Sequence, residues 1–150
     1  VRPRAVLRLG PDRIEAIFDG ARIGQMLSNL AGNAIQYGDA DKPITIRLQR
    51  DADHVVISVN NHGAPIDADK LAHIFDPLVR IAAASGADEH TSLGIGLFIS
   101  REIVQAHSGR IEVTSSAQAG TTFSVTMPRL PAGFTSPGIE RDRTGERAAW

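Results

Sequence analysis

The chain lacks cysteine entirely, which excludes a disulfide framework, a thiolate zinc site and a cysteine nucleophile. It also lacks an excess of either charge, because 16 basic and 17 acidic side chains leave a formal charge of −1. The sequence therefore offers no broad basic surface for nucleic acid or for an anionic membrane. No apolar run approaches the roughly 20 residues of a membrane span, and the N-terminus lacks the apolar core of a signal peptide. We expect a cytoplasmic domain that makes no direct contact with a membrane and binds no nucleic acid.

The amino-acid composition of the chain is that of one ordinary globular domain. The 150 residues are 42% hydrophobic and 22% charged, close to the averages of soluble domains. The chain does not begin with methionine, and we expect it to be a piece of a longer protein. Beyond Pro128 the sequence turns to proline, glycine and charge without periodicity. We therefore predict one domain at residues 1–128 and a poorly ordered tail or linker at residues 129–150.

Hydrophobic spacing predicts an α+β sandwich, in which helices cover one face of a sheet. Asp19 is a suitable N-cap for a helix that Gly38 ends, and a second long helix is predicted over 94–107. The predicted strands share an alternation of apolar and polar residues and lie at residues 6–9, 13–18, 44–49, 55–59, 110–115 and 121–127. A short helix follows Asp67, and the small or polar residues 81–92 predict a mobile loop.

The first of four stretches that carry chemistry lies in the first long helix, at residues 29–37. Asn29 and Asn33 are four positions apart there, so their side-chain amides lie on the same helix face. Asparagine is a poor helix former, and two of them in mid-helix require a reason. They are either solvent-facing amides or oxygen ligands for a hard cation such as Mg²⁺. On these two residues alone, the solvent-facing interpretation is favoured.

Three further stretches combine polar, glycine, proline or aromatic residues where the chain turns. Residues 61–66 follow a strand and set a polar side chain at a sharp turn. Residues 75–78 form an apolar plug before the mobile loop. Residues 93–99 begin a helix with Gly94 and Gly96, where backbone N–H groups and the helix dipole favour a phosphate. Each stretch alone is a weak signal, because turns and close helix packing use the same residues.

In this order the four stretches resemble the catalytic and ATP-binding domain of sensor histidine kinases. That domain belongs to the superfamily of gyrase, the ATP-dependent chaperones and the mismatch-repair ATPases. The matching motifs are the N box at 29–37, the G1 box at 61–66, the F box at 75–78, the G2 box at 93–97 and the Gly-Thr strand start at 120–123. The resemblance covers about residues 6–128. It implies a Bergerat-type fold, with a mixed sheet of five or six strands under three helices, and ATP and Mg²⁺ as cofactors.

The resemblance implies roles for individual residues around the metal and the base. Asn33 would hold Mg²⁺, with Asn29 beside it toward the phosphates, and these two would be the catalytic residues. Tyr37 would stack near the adenine, and Asn61 would accept a hydrogen bond from its exocyclic amine. Gly63 would let the backbone approach the base.

Further residues of the same motifs are implied around the phosphates and the adenine pocket. Gly94 and Gly96 would cradle the phosphates, and Thr122 would sit near the adenine pocket. Arg80 would reach the phosphates, or would remain an ordinary solvated arginine. The other nucleotide-binding residues that the resemblance implies are Gln36, Pro65, Ile66, Leu93, Ile95 and Leu97.

The chain also departs from the family pattern. Asn61 stands where the G1 box usually has aspartate, and Gln36 where a lysine able to touch a phosphate is frequent. Ser92 stands where the G2 box often has its first glycine. Pro65 and Leu78 replace a glycine and a phenylalanine. These changes motivate one alternative, a degenerate domain that binds nucleotide weakly or only docks a partner.

A second alternative is an ATPase of the gyrase or chaperone type. That branch has a glutamate, four residues before the metal-binding asparagine, that activates water; this chain has Asn29 there, which cannot take a proton. A neutral histidine is already a nucleophile, so phosphoryl transfer to it can proceed by positioning and charge neutralisation. The resemblance therefore favours a kinase domain that transfers the γ-phosphate of ATP to a histidine on a separate helical domain. The implied partners are that dimerisation and phosphohistidine domain of the same kinase, and a response regulator.

Overall fold

The computed structural model of the chain describes residues 5–10, 14–78, 94–131 and 133. The expected mobile loop, with Arg80 and Leu93, and the tail beyond residue 133 lie outside these ranges. The elements in chain order are β1 (Ala5–Leu9), α1 (Gly20–Tyr37), β2 (Ile44–Arg50), β3 (His54–Asn61), α2 (Ala68–His73), α3 (Gly96–Ala106), β4 (Arg110–Ser116) and β5 (Gly120–Pro128). None of the helices in this part of the chain combines the length and the apolar character that crossing a membrane requires.

The five strands form one mixed sheet in the order β1-β2-β3-β5-β4. β1 runs parallel to β2, and every other neighbouring pair is antiparallel. Because β3 and β5 are neighbours, the end of β3 at Asn61 lies beside Thr121 near the start of β5. The predicted α+β sandwich, with a mixed sheet and three helices, is confirmed.

The core lies between one face of the sheet and the helices α1 and α3. Two rows of apolar residues run across the strands in register: Ile46, Val59, Phe123 and Val113, and next to them Leu48, Ile57, Val125 and Ile111. The helix residues that pack in the same cluster are Met26, Leu30, Ala34, Ile103 and Val104. Burying one such large side chain contributes roughly 1.5–3 kcal/mol, so this layer supplies most of the stability and holds the two helices over the sheet.

Helix α1 begins and ends where the sequence predicts. Asp19 is its N-cap, and Asp19 Oδ1 accepts a hydrogen bond from the N–H of Arg22 at 3.1 Å. At the other end, the N–H of Gly38 donates to the carbonyl of Ala34 at 3.0 Å. Helix α3, by contrast, begins at Gly96 and not at residue 94, because Gly94 has a φ of +68° that a right-handed helix does not contain.

The strand predicted over residues 13–18 is wrong for the described residues 14–18, which form no strand. Their alternation is real, since Ile14, Ala16 and Phe18 pack against the core. The segment makes one backbone hydrogen bond to the end of the sheet, from the N–H of Ile17 to the carbonyl of Arg129 at 2.9 Å. The alternation shows only which side chains are buried. A strand also requires a ladder of backbone hydrogen bonds to a neighbouring strand.

Candidate functional site

A row of polar residues lies on the core face of the sheet, at the end where β3 stops. Asn61 pairs with Thr121, and Thr121 pairs with Ser115 on the far side of β5. Alternation along the strands puts this row on the same face as the buried Val59 and Phe123. Asn61 is only 4% exposed and Thr121 only 6%. Buried polar side chains at core positions indicate a site that binds a ligand, because packing alone would favour apolar residues there.

Asn61 has an amide that is available to a ligand. Its side chain makes no hydrogen bond to any residue in the described ranges. Within those ranges the only fully enclosed side-chain nitrogen or oxygen without a hydrogen-bond partner is Arg101 Nε. The Asn61 amide therefore retains some contact with open space although the residue is buried. It can exchange hydrogen bonds with a molecule bound at this end of the sheet.

Two glycines hold the backbone close around Asn61. A Cβ on Gly63 would overlap the carbonyl oxygen of Tyr37, so this glycine lets the turn after β3 press against the end of α1. A Cβ on Gly120 would overlap the carbonyl oxygen of Asn61, and its φ of +75° also favours glycine. The close approach that the structure shows for Gly63 is thus to α1, and its approach to a base stays a prediction.

The turn after Asn61 is hydrogen-bonded to Ser115, at the other end of the row of polar residues. The N–H of Ile66 donates to Ser115 Oγ at 3.0 Å, and Ser115 Oγ lies 2.8 Å from Thr121 Oγ1. Ile66 packs against the core, while Pro65 beside it is exposed. The turn therefore bridges from β3 over Thr121 to β4, and it closes one side of the site.

Thr122, predicted near the adenine pocket, lies on the other face of the sheet. Its Oγ1 accepts a hydrogen bond from Asn60 Nδ2 at 2.8 Å, and Asn60 faces away from the helices. The hydroxyl beside Asn61 belongs to Thr121 instead. The apolar alternation of Phe123, Val125 and Met127, continued backwards along β5, puts Thr121 on the core face. A role for Thr122 at the adenine pocket stays a prediction.

Asn29 joins α1 to the first turn of α3. Asn29 Nδ2 donates to the carbonyl of Gly96 at 3.0 Å and lies 3.4 Å from Ser100 Oγ. Ser100 is fully buried, and its hydroxyl donates to the same Gly96 carbonyl at 2.9 Å. Both neighbours thus act as acceptors and turn the NH₂ end of the Asn29 amide toward α3. The amide oxygen is left for another partner.

Asn33 lies one helical turn beyond Asn29 on the same face of α1. It is half-buried, and its side chain makes no hydrogen bond within the described chain. Tyr37, a further turn along, is also half-buried, whereas Gln36 is exposed. The structure therefore places Asn29, Asn33 and Tyr37 along one face of α1 that leads toward the turn at Gly63.

The first turn of α3 receives no hydrogen bond from a capping side chain among the described residues. Ile95 is at the N-cap position and supplies no side-chain cap, so the first N–H groups of the helix have no partner from the cap residue. Leu97 in this turn packs against the core. The carbonyl of Gly94 accepts a hydrogen bond from the N–H of Leu78 at 3.0 Å, so these two residues lie together just before α3. Arg80 and Leu93 lie outside the described residues.

The residues present fit a cation only together with an anionic ligand. The described chain holds no group of three histidine, aspartate or glutamate side chains that could bind a metal, and α1 contains no acidic residue. Mg²⁺ is commonly held by one or two protein ligands and the phosphates of a substrate. The free amide oxygen of Asn33 suits that arrangement. At the opposite end of the sheet, hydrogen bonds from the N–H groups of Asp53 and His54 lower the pKa of Asp51.

Comparison with known sequences finds one family. The family model described as histidine kinase-, DNA gyrase B- and HSP90-like ATPase matches residues 18–131. The adaptive-response sensory kinase SasA of Synechococcus elongatus is 43% identical over 111 residues, which are 73% of this chain and 28% of that protein. The bacteriophytochrome of Pseudomonas aeruginosa is 35% identical over 127 residues, which are 84% of this chain and 17% of that protein. The chain therefore spans less than a third of either relative.

Solved structures share the fold. The catalytic domain of the histidine kinase ThkA, in a nucleotide-free form, matches with a TM-score of 0.72 and 28% identity, covering 85% of this chain and 79% of that one. Full-length ShkA, solved in complex with AMPPNP, matches with a TM-score of 0.72 and 23% identity, covering 86% of this chain and 26% of that one. At that identity the likeness to ShkA shows the fold alone.

Proposed function

The chain belongs to the family of histidine kinase-, DNA gyrase B- and HSP90-like ATPases, and from this premise we propose that it is the ATP-binding catalytic domain of a sensor histidine kinase. In this proposal the domain binds ATP with Mg²⁺ and transfers the γ-phosphate to a histidine on a separate dimerisation and phosphohistidine domain. A response regulator then receives the phosphate. The observation that carries the proposal is the hydrogen bond from Asn29 to Gly96, which brings the amide face of α1 against the first turn of α3, where no side chain caps the N–H groups.

The base is proposed to bind at the polar row. Asn61 supplies a buried amide oxygen that can accept from the exocyclic amine of adenine. Tyr37 at the end of α1 and Ile66 in the turn are both partly buried, and the proposal assigns them to the two sides of the base. Apolar and aromatic walls around a few well-placed polar groups are the usual make-up of a small-molecule site.

The phosphates are proposed to lie at the start of α3. The N–H groups of the first turn, which no side chain caps, and the positive end of the helix dipole favour an anion there. Asn33 would be the protein ligand of Mg²⁺, and the ion, when bound, offsets the negative charge of the phosphates. Asn29, whose NH₂ group is held by α3, presents its oxygen on the same side.

A kinase is favoured over a hydrolase because the described site lacks a general base. α1 contains no acidic residue, and the position from which a carboxylate would activate water is Asn29. An amide cannot accept a proton at neutral pH, whereas transfer to a neutral histidine nucleophile needs no such base. The similarity to SasA, a sensory kinase, supports the same choice.

Titration of the chain with fluorescent ADP, with and without Mg²⁺, tests the nucleotide site. We expect saturable binding that ATP competes away and that Mg²⁺ strengthens. Asn33→Ala should remove the Mg²⁺ effect and leave part of the metal-free binding. If the wild-type chain binds no adenine nucleotide under either condition, it is a degenerate docking domain and the proposal is wrong.

A further inference from the structure

Ser115 lies at the edge of the site and has two polar contacts that the proposed function does not use. Its Oγ accepts a hydrogen bond from the backbone N–H of Ile66 at 3.0 Å. The same oxygen lies 2.8 Å from Thr121 Oγ1, and either hydroxyl can be the donor in that pair. Thr121 in turn pairs with Asn61 across the neighbouring strands. Ser115 is thus connected to the base position through the Thr121 hydroxyl.

The Ile66 N–H gives this chain of hydrogen bonds a direction. A backbone N–H can only donate, so Ser115 must accept from it, and the Ser115 proton is then free to be donated to Thr121. Thr121 would in turn direct its own proton toward the ligand. If Thr121 donates to Ser115 instead, the Ser115 proton has no acceptor among the described residues. If the ligand has an acceptor facing Thr121, both hydroxyl protons and the Ile66 N–H are hydrogen-bonded. If the ligand has a donor there, one hydroxyl proton is left without an acceptor.

Adenine and a 6-oxopurine have opposite hydrogen-bond donors and acceptors at two adjacent ring positions. Adenine has a donor at its 6-amino group and an acceptor at N1, whereas hypoxanthine and guanine have an acceptor at O6 and a donor at N1. Asn61 alone discriminates poorly, because its amide carries both a donor and an acceptor and can serve either pattern. A threonine hydroxyl held as a donor suits adenine N1, directly or through a water.

We propose that Ser115 is a positioning residue that makes the site select adenine, by holding the Thr121 hydroxyl as a donor toward the base. This inference rests on the proposed nucleotide site. Ser115 acts through Thr121 and does not itself touch the nucleotide. The direction comes from the backbone of Ile66, so the turn that closes the site also sets its preference for the base.

A purely structural role for Ser115 predicts something different. If Ser115 only anchors the turn through Ile66, its loss weakens the binding of all nucleotides alike. If it orients Thr121, its loss changes the ratio of affinities between bases, and only while the Thr121 hydroxyl is present. A double-mutant cycle separates these two roles.

The experiment measures the dissociation constants of ADP and inosine diphosphate, which differ only at the 6-substituent and N1. The proteins are the wild type, Ser115→Ala, Thr121→Val and the double variant. We expect Ser115→Ala to lower the preference for ADP by about 3- to 10-fold, the value of one neutral hydrogen bond. Thr121→Val should lower it at least as much, and the double variant should match Thr121→Val. Ser115→Thr, which keeps the hydroxyl, should keep the preference.

Ser124→Ala is the matched control, because Ser124 is on β5 and faces away from the helices. It should leave both dissociation constants unchanged, and circular dichroism checks that each variant is folded. An unchanged affinity ratio in Ser115→Ala, or additive losses in the double variant, would overturn the inference while leaving the proposed nucleotide site intact. If Ser115→Ala does not fold, an unchanged ratio in Thr121→Val overturns it. A wild type that binds neither nucleotide would overturn the proposed function, and this inference with it.

Discussion

Asn29 Nδ2 donates a 3.0 Å hydrogen bond to the carbonyl of Gly96, which lies 67 positions further along the chain. This bond holds α1, which carries the asparagine amides, against the first turn of α3, which has no side-chain cap. Ser100, buried beneath them, accepts from the same Asn29 nitrogen and donates to the same carbonyl. The arrangement makes α1 and the start of α3 one unit, and nucleotide binding is expected to depend on it.

Asn29→Ala should destabilise the domain by about 0.5–1.5 kcal/mol, because it removes one hydrogen bond while Ser100 still serves the Gly96 carbonyl. Asn29→Asp should cost at least as much, since a carboxylate cannot donate to that carbonyl. Urea unfolding of both variants measures the effect. A wild-type midpoint for Asn29→Ala would show that the bond contributes nothing to the fold.

Asn33→Ala should abolish phosphoryl transfer and leave the stability close to that of the wild type. Its amide makes no hydrogen bond within the described chain, so the fold does not depend on it. Transfer depends on it through the proposed Mg²⁺ contact. Ser28→Ala, an exposed position on the same helix, is the control and should transfer normally. Transfer at the wild-type rate by Asn33→Ala would exclude this residue as the metal ligand.

Asn61→Ala should lose most nucleotide affinity, about 5- to 150-fold, because the amine of the bound adenine is left without a partner. Asn61→Asp should keep ADP binding and sharpen the preference over GDP, since a carboxylate only accepts and repels the guanine carbonyl. Competition binding of ADP and GDP to the wild type and both variants gives the ratio. A ratio that Asn61→Asp leaves unchanged would show that this amide does not set base selectivity.

Gly63→Ala should destabilise the domain by about 1–3 kcal/mol, because the new Cβ would overlap the carbonyl of Tyr37 and push the turn away from α1. Gly32→Ala is the contrasting change. Gly32 is exposed in the middle of α1 with open space around its Cβ position, so alanine there should stabilise by about 0.5–1 kcal/mol. Thermal unfolding of the two variants should therefore shift in opposite directions, and equal shifts would contradict the close approach at Gly63.

The elements that the sequence predicts well are those set by local patterns. Asp19 and Gly38 bound α1 because a cap and a terminating glycine act on their own helix. The antiparallel pairs β2–β3 and β4–β5 follow from alternation and turn residues within short segments. In the same way, Asn29 and Asn33 share a helix face because of their spacing alone.

The features that sequence reasoning missed depend on contacts between distant segments. Ser100 lies 71 positions from Asn29, and Ser115 lies 49 positions from Ile66. The sequence around each serine therefore does not predict its hydrogen-bond partner. Thr121 lies beside Asn61 because β5 pairs with β3, although the alternation along β5 already distinguishes Thr121 from Thr122.

The most direct test of the central claim is phosphoryl transfer from ATP labelled at the γ-phosphate. The chain is incubated with Mg²⁺, alone and with the helical phosphohistidine domain that the proposed function assigns to the same kinase. We predict no label on the isolated chain, and label on the added domain that is stable to alkali and lost in acid, as phosphohistidine is. Robust labelling of the isolated chain, or release of free phosphate with no label on the added domain, would contradict the account.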